Sequence, residues 1–285
     1  SKAAMPMAVD KNIIHLEGLD KVESNMSANL RDMGDGIALL EFTSKMNAID
    51  ADIIEMTHKA LARLDSDFDG MVIGNNGANF SVGANIFAVA VSGQQGMWEP
   101  LEEMIHGLQD ATFKLQHAPK PVITAVHQMA LGGGNEYAMA GWESVVAHES
   151  YMGLVEFGVG LIPAGGGCKE TLRRRLNPVM ADANADVLPT MQSIFEQIAL
   201  AKVATSAWEA RTMGYVHDDD AVVMNSDHRF AKAKQRAMQL AAAGTRPPEI
   251  EKIYAAGRDV YYALQMGIKG LQWGNYASEH DALVA

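Results

Sequence analysis

Apolar positions recur at helical spacing in two long stretches. Ile53, Ile54, Thr57, Ala60, Leu61 and Leu64 follow Asp50, a residue suited to cap a helix start. Leu101, Met104, Ile105, Leu108, Thr112 and Leu115 line one face of a second helix that begins near Pro100. Shorter apolar runs predict strands. Ser27–Arg31 and Ile37–Phe42 flank the glycine-rich turn Asp32-Met33-Gly34-Asp35-Gly36 as a hairpin. Asp69-Gly70 turns into Met71-Val72-Ile73, and Val122–Val126 and Val145–Ala147 read as further strands. Asn75–Asn85 and Gly153–Gly167 are glycine-punctuated loops. A helix carrying Lys169 and Arg173 to Arg175 follows, and its charges read as a solvated face. Residues 177–195 look irregular. Ser206-Ala207-Trp208-Glu209-Ala210-Arg211 opens a capped helix that stops at Gly214, and the remainder reads as mostly helical. Alternating strands and helices followed by helices alone predict an α/β core with a C-terminal α-helical appendage. The expected boundaries are a linker or arm over 1–26, a core over 27–214 and a helical region over 215–285.

Composition narrows the function classes. The net charge of −12 argues against nucleic acid or an anionic membrane as the main partner. An anionic small molecule remains open if its site is locally basic. No apolar run reaches the ~18 residues of a membrane span. The single cysteine, Cys168, excludes an internal disulfide and fits a reducing compartment, so the cytoplasm is expected. The chain begins without Met, shows no signal peptide, and ends inside an amphipathic pattern at Glu279–Ala285, so we expect a piece of a longer polypeptide.

Candidate chemistry centres on Leu131-Gly132-Gly133-Gly134-Asn135-Glu136, which joins an apolar strand to a helix start. Glycines let the backbone approach a ligand, and free N–H groups at the helix start can stabilise a negative charge. Glu136 would place a carboxyl group beside them. The plainer alternative is a turn that only permits tight packing. Asp65-Ser66-Asp67-Phe68-Asp69-Gly70 begins like a calcium loop, but the twelfth position is Asn76 rather than Glu. No two histidines have the i, i+4 spacing of a helical zinc site, so no metal is expected.

Three segments together are more specific: Phe80-Ser81-Val82-Gly83-Ala84-Asn85-Ile86, Leu131–Glu136, and Gly153–Gly167 with its Glu156. With Ser44–Ile49 and Ser206–Ala210 they make the chain resemble the crotonase (enoyl-CoA hydratase/isomerase) superfamily from about Ile37 to about Gly214. The resemblance implies a crotonase-like ββα spiral core and an enoyl-CoA hydratase that adds water to a 2-enoyl-CoA thioester in fatty acid β-oxidation. It implies oxyanion N–H groups on Ala84 and Gly133, and catalytic acids at Glu136 (base on water) and Glu156 (proton donor). Contacts to the coenzyme A part fall on Lys45, Asn47, Ala48, Val82, Gly83, Asn85 and Gly132, with Arg173 to Arg175 as weaker candidates. Asn85 stands where the family usually has Asp. Coenzyme A comes with the substrate, so no separate cofactor is expected. The acyl chain is expected near Ile86, Phe87 and Val159. The wording of Tyr151–Glu156 and Ser278–Asp281 is similar to the hydratase part of polypeptides fused to 3-hydroxyacyl-CoA dehydrogenase. Expected partners are therefore an acyl-CoA, that dehydrogenase domain, and further copies as a trimer or dimer of trimers. The alternatives are a Δ3,Δ2-enoyl-CoA isomerase and a non-catalytic CoA-binding or assembly module.

Overall fold

A computed structural model describes residues 10, 12–182 and 184–285. Residues 1–9 and 11, part of the expected arm, thus lie outside the described residues. The sheet already starts inside that arm: β1 (Asp20–Ser24) pairs antiparallel with β2 (Ala28–Asp32), which pairs with β3 (Ile37–Phe42). β1 has one apolar residue, Val22, because it is an edge strand, and so it carried no strand pattern.

The chain continues through α1 (Ala51–Asp67), β4 (Gly70–Ile73), α2 (Ile86–Gln94) and α3 (Trp98–Gln116). Next come β5 (Val122–Leu131), α4 (Gly133–Met139), β6 (Glu143–Gly153) and α5 (Gly167–Arg175). α6 (Leu188–Ala199), α7 (Ala207–Thr212), β7 (Ala221–Val223), α8 (Arg229–Ala242), α9 (Gly257–Trp273) and α10 (Glu279–Val284) complete it. Two expectations fail here. The stretch read as irregular, 177–195, holds the first two turns of α6, and the C-terminal region read as mostly helical contributes β7 to the sheet, parallel to β6.

The seven strands lie in sequence order, antiparallel up to β3 and parallel from β3 onward. Every residue of β3 is buried because both sheet faces are covered. Ile37 and Leu39 pack with Phe230, Ala233 and Ala237 of α8 on one face. Ala38, Leu40 and Phe42 pack with α1 and α4 on the other. Asp50 caps α1 as expected, its carboxyl accepting the Ile53 N–H at 2.9 Å.

β5 and β6 outrun the other strands. Their parallel pairing is interrupted after Val126, where β5 advances to Gln128 while β6 advances from Val146 to Ser150. Gln128 takes a left-handed φ of 48° at this bulge. Beyond it the strands pair again up to Leu131 and Gly153, with bridges to Ser81 and Val203. This second stretch, with Ala130 and Met152 still in the core, presents Gly132 and Glu156 side by side.

Candidate active site

The glycine run does hold the backbone near the acids. Gly132 has φ +52°, and a Cβ there would sit 2.8 Å from Glu156 Oε1. Its N–H donates to Gly153 O at 2.8 Å, which ties the end of β5 to the end of β6. Gly133 opens α4, so its N–H has no acceptor within the helix. The loop bearing Ala84 is fastened next to it. Ser81 N–H donates to Met129 O, and Leu131 N–H donates to Ser81 O, both at 3.0 Å. Ile49 N–H donates to Gly83 O and Asn85 N–H to Ile49 O, which brackets Ala84. A Cβ on Gly133 would lie 3.4 Å from Ala84 N, so the two N–H carriers are neighbours. Among the described residues neither N–H meets an acceptor.

Ala84, Gly133, Glu136 and Glu156 line one cavity of about 180 Å³. Its other walls are apolar: Ile49, Ile54, Val89, and Leu101, Met104, Ile105 and Leu108 of α3. The expected acyl neighbours Ile86, Phe87 and Val159 are not in this lining and stand largely exposed. α2 turns Val89 toward the cavity instead. The stripe on α3, legible in the sequence as a packing face, is in large part the cavity wall.

Glu136 is 3% exposed. Its Oε1 accepts the Gly167 N–H at 2.7 Å, so it fills the open first turn of α5. Burial pushes its pKa up to about 8, repulsion from Glu156 adds to this, and the backbone N–H groups of Gly167 and Gly165 oppose it. Glu156 opens a 3-10 turn after β6, and its Oε2 is buried without a hydrogen-bond partner. Burial pushes its pKa up to about 7 against its own local backbone N–H bonds. No cation among the described residues lies within ion-pair distance of either acid. A cavity that favours one proton on the pair, beside two unpaired N–H groups, is equipped for acid/base chemistry on a carbonyl compound that becomes an enolate.

The remaining candidates do not line the cavity: Lys45–Ala48 precede its wall residue Ile49 in the chain, and Val82, Gly83 and Asn85 flank its Ala84. Lys45 and Met46 are exposed on a 3-10 turn, Asn47 is buried, and Ala48 is half-buried. Met46 and Asn47 have left-handed φ of 57° and 53°, held by the Asn47 amide donating to Asn79 O at 2.8 Å. Asn85 is exposed, and its side chain accepts the Ala88 N–H to cap α2, so exchanging Asp for Asn keeps the acceptor a cap needs. Gly83 is buried and Val82 half-buried beside Ala84. The arginines of α5 correct the solvated-face reading. Arg173 pairs with Glu170 and Glu251, while Arg174 donates to Met139 O and Tyr215 O, which bolts α5 to the end of α4. A helix with polar residues at nearly every position gave no sign that one side is sealed. Sequence reasoning also missed Gly165 and Gly167 as neighbours of Glu136; only their place in a glycine-rich loop hinted at close backbone approach.

A spiral of strands and helices that gathers two acids and two unpaired N–H groups into an apolar cavity defines an enzyme-like acid/base site with an oxyanion pocket. The crystal structure of an enoyl-CoA hydratase from Polaromonas sp. JS666 has this fold: the match covers 75% of this chain and 77% of that one, with a TM-score of 0.63 at 24% identity. The family model for enoyl-CoA hydratase/isomerase matches residues 32–243. The chain belongs to the enoyl-CoA hydratase/isomerase family, the crotonase superfamily. It is 41% identical over 97% of its length to a Bacillus subtilis protein named "Probable 3-hydroxyacyl-CoA dehydrogenase", covering 35% of that protein. It is 29% identical over 88% of its length to the fatty acid oxidation complex subunit alpha of Idiomarina loihiensis, covering 34% of it. The chain thus spans about a third of the length of these two relatives. Among the described residues no helix is long and apolar enough to cross a membrane.

Proposed function

We propose that the chain hydrates 2-enoyl-CoA thioesters to 3-hydroxyacyl-CoA. The observation that carries this reading is the pair of buried acids, Glu136 and Glu156, facing one cavity beside the Ala84 and Gly133 N–H groups. The two N–H groups donate hydrogen bonds to the thioester oxygen and stabilise the charge that grows on it as water adds to the β-carbon. Losing one such donor typically costs ~10²–10³ in rate. Glu136 takes the proton from the water, and Glu156 delivers a proton to the α-carbon. A pair whose pKa values are raised by burial supports an acid working beside a base, because one carboxyl holds a proton while the other is ionised; the division between the two follows the family resemblance. An isomerase needs only one shuttling acid, and two retained acids favour hydration. Coenzyme A enters as part of the substrate, with Lys45, exposed on the turn that precedes Ile49 of the cavity wall, as its first cation. We also read the chain as the hydratase part of a longer polypeptide with a dehydrogenase part, since both relatives named above are about three times its length.

Incubation with crotonyl-CoA, followed by loss of the conjugated thioester absorbance, tests the reading. Glu136→Gln and Glu156→Gln should each lower turnover by at least ~10² with the ester still bound. Wild-type turnover in either variant, or double-bond migration without a hydroxyacyl product, would sink it.

A further inference from the structure

The backbone that seats Glu136 is itself held from α3. The Thr112 hydroxyl lies 2.7 Å from Gly165 O, closer than its own helix carbonyls at 3.0 and 3.1 Å. Three residues back on the helix, Gln109 Nε2 donates to Ala164 O at 2.9 Å. The segment so gripped, Ala164–Gly167, then meets the Glu136 carboxyl from two sides. Gly167 N–H donates to Oε1 at 2.7 Å, and Gly165 packs so closely on Oε2 that a side chain there has no room. A Cβ on Gly165 would also fall 2.6 Å from Leu108 Cδ2, so the segment is wedged between α3 and the acid.

We propose that Thr112 is a positioning residue for Glu136: its hydroxyl, through the carbonyl of Gly165, fixes the backbone that seats the carboxyl group, with Gln109 as a second clamp. The inference rests on the hydratase reading for its meaning, but its geometry stands without it. A serine in place of Thr112 keeps the hydroxyl, and a valine keeps the volume and loses the donor. Without the donor the Gly165–Gly167 segment can move off the acid. The N–H bonds that favour the carboxylate then weaken, and the proton is held more tightly. The titratable groups facing Glu136 are Glu156, after β6, and the Cys168 thiol on α5; neither residue is changed in these variants.

The test follows the Glu136 carboxyl directly, by carbon NMR of protein labelled at its glutamate carboxyls. The Glu136→Gln variant assigns the signal, and pH is the only probe. Thr112→Val should raise the titration midpoint by about half a pH unit or more, and Gln109→Ala should move it the same way, while Thr112→Ser should match the wild type. On crotonyl-CoA, Thr112→Val should lower kcat by about tenfold with KM within about twofold. An unchanged midpoint in a folded Thr112→Val protein overturns the proposal. So does a Thr112→Ser shift as large as the valine one, which would make packing the cause. If the valine variant does not fold, Gln109→Ala decides alone: its side chain is exposed, and an unmoved midpoint overturns the clamp. A wild type that hydrates nothing sinks the hydratase reading and leaves the titration to judge Thr112.

Discussion

Glu136 has a firm hydrogen bond from Gly167 and otherwise meets apolar side chains and a second acid, so its ionised form is poorly served. Its pKa rises from the ordinary 4.5 to about 8 on folding. Between those values the folded chain binds more protons than the unfolded one. The contribution to stability is therefore complete below about pH 4.5 and is lost as the pH climbs through about 8. Glu136→Gln cannot ionise and removes that loss. Its melting temperature should draw ahead of the wild type as the pH is raised from about 5 to about 8, by a margin worth at least about 1 kcal/mol. Parallel melting curves across that range would show that the acid is not held protonated. The same residue shows where reading a sequence stops. That Glu136 opens a helix beside three glycines is visible in the chain. That α5 lends it an N–H is not, because Gly167 is far from it in sequence and nothing in a glycine announces its partner.

Elements were legible where both faces of the sheet or a single helix face imposed a strong pattern. The β2–β3 hairpin, α1 with its Asp50 cap, and α7 with its Ser206 cap appear where the sequence put them. β7 escaped because three residues hold no period, and its place is decided by pairing with β6. α6 escaped because a run of turn-forming residues ahead of it masked the recurrence of Leu188, Met191, Ile194 and Ile198; Pro189 in its first turn was the missed signal. The turn at Lys45 belongs at this scale too. Its two left-handed residues are held by Asn47, which leaves Lys45 outward and without an ion-pair partner among the described residues. If that lysine meets the anionic part of an acyl-CoA, Lys45→Ala should raise KM about threefold or more with kcat little changed, and added salt should act on the wild type in the same direction. Steady-state kinetics showing an unchanged KM would remove Lys45 from the substrate's path.

At the scale of the whole molecule, the C-terminal helices leave apolar surface uncovered. Val260 is the one buried residue of α9, while Tyr261, Tyr262, Met266 and Trp273 are exposed. A face of this kind favours association. Light scattering on the purified chain should report a mass above that of one copy, and Met266→Glu should shift it toward a single copy. A strictly monomeric wild type would refute the expectation. Across the molecule, the bulge in β5 and β6 turns the twenty-position interval between Glu136 and Glu156 into a path length. β6 uses four steps where β5 uses two, and the surplus decides how far along its rail the second acid has travelled when the first arrives. Deletion of His148 or Glu149 would leave both glutamates, the cavity wall and the fold's core intact in composition. It would still mistime the two acids, as a belt that skips one tooth leaves every part of an engine sound and out of phase.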